Sequence, residues 1–153
     1  MTRRPVSPMK NKRSQSRQVA MQILFQSSLV ETDLTEALAY FRSEHEVERK
    51  VLDFARELIE GTLLHQEELD ACVTPFLEKW DLDRLGNVER AILRLAAFEF
   101  LYRPEIPAKV SINEAVELAK EFSTDESAKF VNGVLDRLAR ERAADKMSAP
   151  KGG

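Results

Sequence analysis

Few residues of this chain are spaced for catalysis or for metal binding. The sequence has two histidines, His45 and His65, and one cysteine, Cys72, and none of them has a second ligand at the spacing of a zinc site. Cys72 lies between Ala71 and Val73, which is typical of a small apolar residue in a core. The sequence also has no glycine-rich phosphate loop, nucleophile elbow or HExxH motif. We therefore expect no enzyme activity, no cofactor and no metal site.

One carboxylate has an unusual setting. Glu99 lies between Phe98 and Phe100, in the most apolar segment of the chain. We interpret it as a helix residue whose carboxylate reaches water or a basic partner at the edge of a helical bundle. A catalytic role is the alternative, because perturbed carboxylates also occur in active sites.

Basic residues are concentrated near the start of the chain. Residues 1–30 contain no acidic residue, whereas the whole chain has a net charge of −3. A basic arm on an acidic body suggests a polyanionic partner for the arm, and a solvated tail is the alternative. The basic residues in this segment are Arg3, Arg4, Lys10, Lys12, Arg13 and Arg17.

Composition places the chain among globular proteins of one domain. It has 153 residues, of which 43% are hydrophobic and 32% are charged, enough to form a core. A single cysteine excludes an internal disulfide framework and favours a cytoplasmic location. We expect no signal peptide and no membrane partner, because the longest apolar segment is interrupted by Arg94 and Glu99 and is too short to span a bilayer.

Apolar residues recur at helical spacing along the chain and predict an all-α fold, a compact bundle of about seven helices. We expect a flexible basic arm at residues 1–12, a single helical domain at residues 13–142 and a flexible tail at residues 143–153. No segment alternates as a strand does. The predicted helices cover about residues 14–30, 32–41, 46–64, 66–77, 88–102, 111–122 and 123–142.

Several details of these helices follow from single residues. The helix at residues 88–102 is apolar on more than one face, which places it at the centre of the bundle. Pro75 is expected to end or kink the fourth helix. Pairs with the spacing of a capping box predict three helix starts. These pairs are Asp33 with Glu36, Ser111 with Glu114, and Ser123 with Glu126.

Asn132-Gly133 interrupts the last predicted helix. Asn-Gly is a strong signal for a hairpin turn, but the surrounding apolar residues keep helical spacing, and Gly costs a helix about 1 kcal/mol relative to Ala. We expect Gly133 to allow a neighbouring helix to approach closely, and Asn132 to hydrogen-bond a polar group such as Asn113 or Glu114. The alternative is that this face binds something outside the domain.

Four stretches, in this order, resemble the NusB family. They are SRQVAMQILFQ at residues 16–26, ERAILRLAAFEF at residues 89–100, INEAVELAKEF at residues 112–122 and KFVNGVLD at residues 129–136. The resemblance extends from about Arg13 to Leu138. Between residues 31 and 79 it supports only the helical pattern.

The resemblance implies an all-α fold of two small subdomains and a role in bacterial transcription antitermination and ribosomal RNA synthesis. NusB proteins pair with NusE, a protein of the small ribosomal subunit. The pair binds the boxA element of nascent, single-stranded RNA and joins an antitermination complex on RNA polymerase. The resemblance leaves open whether this chain also forms a homodimer.

The resemblance also implies site residues. The family's arginine-rich start of the first helix matches Arg13 and Arg17, with Lys10 and Lys12 just upstream. Lys129 and Phe130 match a second region near RNA, and Arg94 extends the basic surface. Ser14 and Gln15 stand where members often have further basic residues, which predicts a weaker RNA patch. Phe25 and Glu89 match positions that face NusE. The expected RNA-binding residues are Lys10, Lys12, Arg13, Arg17, Arg94, Lys129 and Phe130.

Two other functions remain open. A NusB-like domain also forms the RNA-recognition front end of ribosomal RNA cytosine methyltransferases, but the sequence given has no room for a catalytic domain after its last predicted helix. The second alternative is a protein-interaction scaffold that does not bind RNA.

Overall fold

The structure, a computed structural model, describes residues 4–5, 10–26, 34–78 and 82–148. Within these ranges the chain forms seven α-helices, which confirms the predicted all-α class. The helices are α1 (Lys12–Gln26), α2 (Leu34–Glu44), α3 (Arg49–Leu64), α4 (Gln66–Val73), α5 (Asn87–Tyr102), α6 (Ala108–Phe122) and α7 (Asp125–Ser148). Two 3₁₀ turns, Thr74–Phe76 and Leu82–Arg84, lie between α4 and α5.

A two-residue backbone pairing joins part of the predicted arm to the domain. The segments β1 (Arg4–Pro5) and β2 (His45–Glu46) pair in parallel, with Arg4 opposite His45. The sequence predicted no strand, because a pairing of two residues has no alternating pattern to detect. The segment between α2 and α3 therefore lies beside the backbone of the arm at this point.

Helix α5 is at the centre of the fold, as the sequence predicted. It packs against α1, α3, α4, α6 and α7. Its buried residues include Ile92, Leu93 and Leu95, which belong to one hydrophobic core that all seven helices contact. Helices α1, α2 and α3 contact one another, α7 contacts α4 and α6, and α5 contacts helices of both groups.

The crossing of α3 and α5 depends on a glycine. A Cβ atom added to Gly61 would lie 2.1 Å from Cε1 of Phe98, a distance that real Cβ contacts do not show. Phe98 is itself buried, so its ring has little room to move. Gly61 therefore sets how closely these two helices approach.

Pro75 ends α4, as predicted. Helix α4 stops at Val73, and Pro75 lies in the 3₁₀ turn that follows. The backbone of Glu78, three residues later, has a φ of 59°, in the left-handed region that residues other than glycine seldom adopt. The predicted cap at Asp33 lies outside the described residues.

Two predicted helix caps were wrong. Helix α6 begins at Ala108, directly after Pro107, so Ser111 lies inside the helix and its buried hydroxyl donates to Glu99. Helix α7 is capped by Thr124, whose hydroxyl oxygen accepts a hydrogen bond from the backbone N–H of Ser127 at 2.9 Å. The capping-box spacing is too short a pattern to distinguish a cap from a serine that hydrogen-bonds another helix.

Candidate RNA-binding surface

The entry into α1 is fixed by side chains that hydrogen-bond the backbone. The side-chain oxygen of Asn11 accepts a hydrogen bond from the backbone N–H of Ser14 at 2.8 Å, which is the geometry of an N-cap. The side-chain amide of Gln15 donates to the carbonyl oxygen of Lys10 at 2.9 Å. These hydrogen bonds therefore hold Lys10, Lys12 and Arg13 close to the helix start.

Arg13 is an exposed cation at this helix start. The central carbon of its guanidinium lies 3.6 Å from the centre of the Phe54 ring, within the range of a cation–π contact. Arg13 has no hydrogen bond or ion pair with any residue that the structure describes. Its N–H groups are therefore available to a ligand. Phe54 belongs to α3 and was expected only as a core residue, because its spacing fits the apolar stripe of that helix.

Lys10 and Lys12 pair with carboxylates at the surface. The Nζ of Lys10 lies 2.5 Å from Glu121 and 3.1 Å from the side-chain oxygen of Gln18. The Nζ of Lys12 lies 3.1 Å from Glu48. Such exposed pairs contribute about 0–1 kcal/mol, so a phosphate group can replace the carboxylate at little cost.

Arg17 does not lie on this surface. Its side chain is 6% exposed, with Nε 2.7 Å from one oxygen of Glu99 and Nη2 3.0 Å from the other. The expected contact with RNA does not fit this geometry, because the guanidinium is held in the core by a bidentate ion pair. Helical spacing could not distinguish Arg17 from Arg13, since the two are four residues apart and lie on neighbouring turns.

Glu99 has the basic partner that the sequence suggested, but in the core and not at the bundle edge. It is 2% exposed and also accepts a hydrogen bond from Ser111 at 2.6 Å. Beside this pair, Glu114 lies 3.7 Å from Nη1 of Arg17 and accepts a hydrogen bond from Ser14 at 2.5 Å. We call these five residues the buried polar network. It ties α1 to α5 and α6.

Ser14 and Gln15 also differ from expectation in their placement. Ser14 is buried against α6, so its position faces the interior and does not contribute to an exposed patch. Gln15 is half-buried and bonds the backbone of the arm. The predicted weakening of the RNA patch by these two residues therefore concerns Gln15 alone.

Arg94 is held by an internal partner. Its Nε and Nη2 lie 2.7 Å and 2.9 Å from the two carboxylate oxygens of Asp70, so that the pair joins α5 to α4. The side chain of Arg94 is 19% exposed. This geometry leaves little of the guanidinium for a nucleic acid.

Helix α7 presents a second polar surface. Lys129 is exposed and has no hydrogen bond or ion pair with the described part of the chain. Phe130 is half-buried and packs against the hydrophobic core, so only part of its ring is accessible. No hydrogen bond or ion pair joins Lys129 to the described residues at the start of α1.

The packing interpretation of Asn132-Gly133 was wrong. Asn132 is exposed and makes no hydrogen bond to Asn113 or Glu114 in the part of the chain described. A Cβ atom added to Gly133 would meet only the Nη2 of Arg137, at 3.9 Å, so no helix approaches there. The alternative interpretation, in which this face binds something outside the domain, therefore stays open.

Phe25 and Glu89 lie at partly accessible positions. Phe25 is half-buried near the end of α1 and packs against the core. Glu89 is half-buried in the first turn of α5 and accepts a hydrogen bond from Ser123 at 2.7 Å. Both keep some accessible surface.

No group of three or more His, Cys, Asp and Glu side chains within the described ranges is arranged to hold a metal ion. None of the described helices is long and apolar enough to cross a membrane.

Fold and surface together define a small all-helical domain with available cations at the start of its first helix and on its last helix. The NusB family model matches residues 14–140, and the chain belongs to the NusB family. A transcription antitermination protein NusB from Bacillus subtilis (strain 168) is 45% identical over 128 residues, which cover 83% of this chain and 94% of the relative.

Solved structures agree with this assignment. NusB from T. maritima has a TM-score of 0.77 and 37% identity, and the match covers 92% of this chain and 100% of that one. A crystal structure of the antitermination factors NusB and NusE in complex with double-stranded RNA contains a chain with a TM-score of 0.76 and 26% identity. That match covers 85% of this chain and 97% of the other.

Proposed function

We propose that this protein is a transcription antitermination factor that binds boxA-type single-stranded RNA together with NusE and supports ribosomal RNA transcription. The observation that carries the proposal is membership of the NusB family over residues 14–140, with a relative of that function at 45% identity. A structurally similar NusB in complex with NusE and double-stranded RNA supports NusE and RNA as partners. The same role places the protein in the cytoplasm, in an antitermination complex with RNA polymerase.

The proposed mechanism is binding without a chemical step. Arg13 and Lys129 are exposed cations that have no acidic partner among the described residues, and they are suited to neutralise RNA phosphates. Lys10 and Lys12 join them by exchanging surface carboxylates for phosphates. Each phosphate contact releases counterions, so the affinity falls as the salt concentration rises.

Base contacts are proposed on α7. The accessible part of the Phe130 ring offers a stacking surface to an unstacked base, which is how single-stranded RNA is commonly recognised. Asn132 is exposed on the same helix and carries both a donor and an acceptor for a base edge. Arg17 and Arg94 are left out of the proposed contacts, because Glu99 and Asp70 hold their guanidinium groups.

Phe25 and Glu89 are proposed to face NusE. A partly accessible apolar ring and a partly accessible carboxylate are both typical of a protein interface, which has an apolar centre and a polar rim. The same surface suits a second copy of this chain, so a homodimer that NusE displaces is the alternative occupant.

One observation favours the scaffold function as a second candidate. Two of the arginines expected to bind RNA are held by carboxylates inside the protein, so fewer cations are available than the sequence implied. A scaffold of this kind would bind NusE and not RNA.

Fluorescence anisotropy with labelled RNA tests the proposal. The ligands are a short single-stranded boxA-like RNA, a scrambled RNA of equal length and the boxA RNA annealed to its complement. Each is titrated with and without NusE at several salt concentrations. We expect single-stranded boxA RNA to bind most tightly, NusE to increase its affinity, and the affinity to decrease with salt.

The other outcomes are equally informative. Equal binding of boxA and scrambled RNA under all conditions would remove the sequence-specific function. Binding of NusE without any RNA binding would establish the scaffold function instead.

A further inference from the structure

We propose that the RNA-binding surface continues from α1 onto α3. In this inference a nucleobase stacks on the guanidinium of Arg13, which the Phe54 ring supports, and Lys50 contacts the neighbouring phosphate. The inference rests on the proposed RNA binding and adds residues of α3 that neither the sequence pattern nor the family resemblance assigned.

The contact between Arg13 and Phe54 prepares a stacking surface. The guanidinium carbon lies 3.6 Å from the ring centre, so one face of the group lies on the ring. Arg13 is exposed and makes no other polar contact with the described residues, so the opposite face and the N–H edge are open. Planar guanidinium groups stack on bases, and a group that already lies on a ring loses less freedom on binding.

Lys50 lies in the turn of α3 that precedes Phe54. Residues four apart share one face of a helix, so Lys50 and Phe54 are neighbours. The ion pair of Lys12 with Glu48 and the hydrogen bond from Ser16 to the carbonyl oxygen of Val51, at 2.8 Å, place α1 along this turn. Lys50 is therefore close to the surface that Arg13 occupies.

Lys50 is available for a phosphate. It is exposed and has no ion pair or hydrogen bond within the ranges that the structure describes. Arg49, next to it, is likewise exposed and unpaired there, whereas Asp53 and Glu46 are exposed carboxylates nearby. The three cations Arg13, Arg49 and Lys50 outnumber the two carboxylates Asp53 and Glu46 by one charge. The carboxylate of Glu48 is already paired with Lys12.

Arg103 offsets part of the acidic charge on the other side of the Phe54 ring. Its guanidinium carbon lies 5.2 Å from the centre of the Phe54 ring, and its nitrogens pair with Glu57 at 3.0 Å and Glu105 at 3.3 Å. These carboxylates are therefore less repulsive to RNA than their number suggests. The cations and carboxylates named around Phe54 balance, so this surface is neutral in a chain of net charge −3, and contact with a polyanion depends on Arg13, Arg49 and Lys50, the cations unpaired among the described residues.

Three substitutions separate stacking from charge. Arg13→Lys keeps the charge but removes the planar group, Phe54→Leu keeps an apolar side chain but removes the supporting ring, and Lys50→Ala removes one cation. The matched control is Arg56→Ala, a cation on the same helix whose guanidinium bonds Glu60 and Thr35. Each variant is titrated with boxA RNA and NusE at several salt concentrations, and its melting temperature is recorded.

The expected results differ between the variants. Arg13→Lys and Phe54→Leu weaken RNA binding about fivefold or more, the effect of losing a stacked base, and leave the salt slope unchanged. Lys50→Ala lowers the magnitude of the salt slope by about 0.7, the value for one phosphate contact on a single strand. Arg56→Ala changes neither quantity.

Two results would overturn the inference, and they are distinguishable. If the wild-type protein binds RNA but Lys50→Ala and Arg13→Lys match it in affinity and salt slope, RNA does not reach α3 and only the proposed function survives. If the wild-type protein binds no RNA with or without NusE, both are wrong. Lys50 and Arg13 are exposed, so these two variants keep the test valid even if Phe54→Leu unfolds.

Discussion

Glu99→Gln is expected to destabilise the fold strongly although it changes few atoms. One oxygen of Glu99 accepts from Nε of Arg17, and the other accepts from Nη2 of Arg17 and from Ser111. A glutamine has one oxygen and one NH₂ group at these places. In either orientation of the amide, its NH₂ group faces an N–H group of Arg17, so two donors oppose each other. The charge of Arg17 also loses its closest counter-charge.

The size of the effect follows from burial. Removing one partner of a buried ion pair typically costs about 3–5 kcal/mol, because the other charge stays buried without compensation. Here the amide oxygen keeps part of the hydrogen bonding, and Glu114 remains 3.7 Å from Nη1 of Arg17. We therefore expect a loss near the lower limit, about 3 kcal/mol in the free energy of unfolding, which is a large part of the stability of a typical domain.

Thermal and urea unfolding, followed by circular dichroism, measure this loss. For a chain of this length, about 3 kcal/mol corresponds to a decrease of about 6–12 °C in the melting temperature. The urea midpoint should fall while the slope of the transition stays the same.

Asp70→Asn is the matched control. It makes the same carboxylate-to-amide change in another bidentate pair with an arginine, at 2.7 Å and 2.9 Å, but there Arg94 and Asp70 are 19% and 27% exposed. Solvent screening should reduce its effect to about 1 kcal/mol. If Glu99→Gln costs no more than Asp70→Asn, the buried polar network does not stabilise the fold as we argue.

Three further predictions concern other parts of the molecule. Gly61→Ala should lower the free energy of unfolding by about 1–3 kcal/mol, because its Cβ would overlap the ring of Phe98, and an unchanged urea midpoint would contradict this. Gly133→Ala should instead raise the melting temperature by about 2–4 °C, because no atom blocks the new methyl group and alanine favours a helix; a decrease would show a constraint that the structure lacks. The hydrogen bond to Glu68, with smaller contributions from burial and nearby charges, raises the pKa of Tyr102 above 10.0. This contact therefore stabilises the fold below pH 10.0, and its contribution is lost as the pH rises through the folded-state pKa. In an ultraviolet absorbance titration, Glu68→Ala should lower that pKa, and identical titrations would refute the assignment.

The helices were predictable because each one follows from neighbouring residues. Apolar spacing placed all seven, identified α5 as the central helix and, with Pro75, located the end of α4. Helix starts were less predictable. Pro107 and Thr124 determine two of them. Nearby pairs with the spacing of a capping box, Ser111 with Glu114 and Ser123 with Glu126, pointed to the wrong residues.

The candidate site was predictable only in part, because charge is visible in a sequence but pairing is not. Arg13 and Arg17 look equivalent at four residues apart, yet the partner of Arg17 is Glu99, 82 positions further along the chain. The support for Arg13 comes from Phe54, whose spacing fits a core residue. Both contacts arise from the packing of α1 against α3 and α5, which no local pattern specifies.

The buried polar network also limits how this protein can change over evolutionary time. Arg17 and Glu99 lie on different helices and have no solvent between them, so a neutral replacement at either position leaves a charge stranded in the core. A lineage can lose this pair with little cost only if both positions change at nearly the same time, or if Glu114 takes over one of the roles first. Covariation of positions 17 and 99 among relatives would then reflect folding, and a count of basic residues at the start of α1 would overstate the RNA contacts by one.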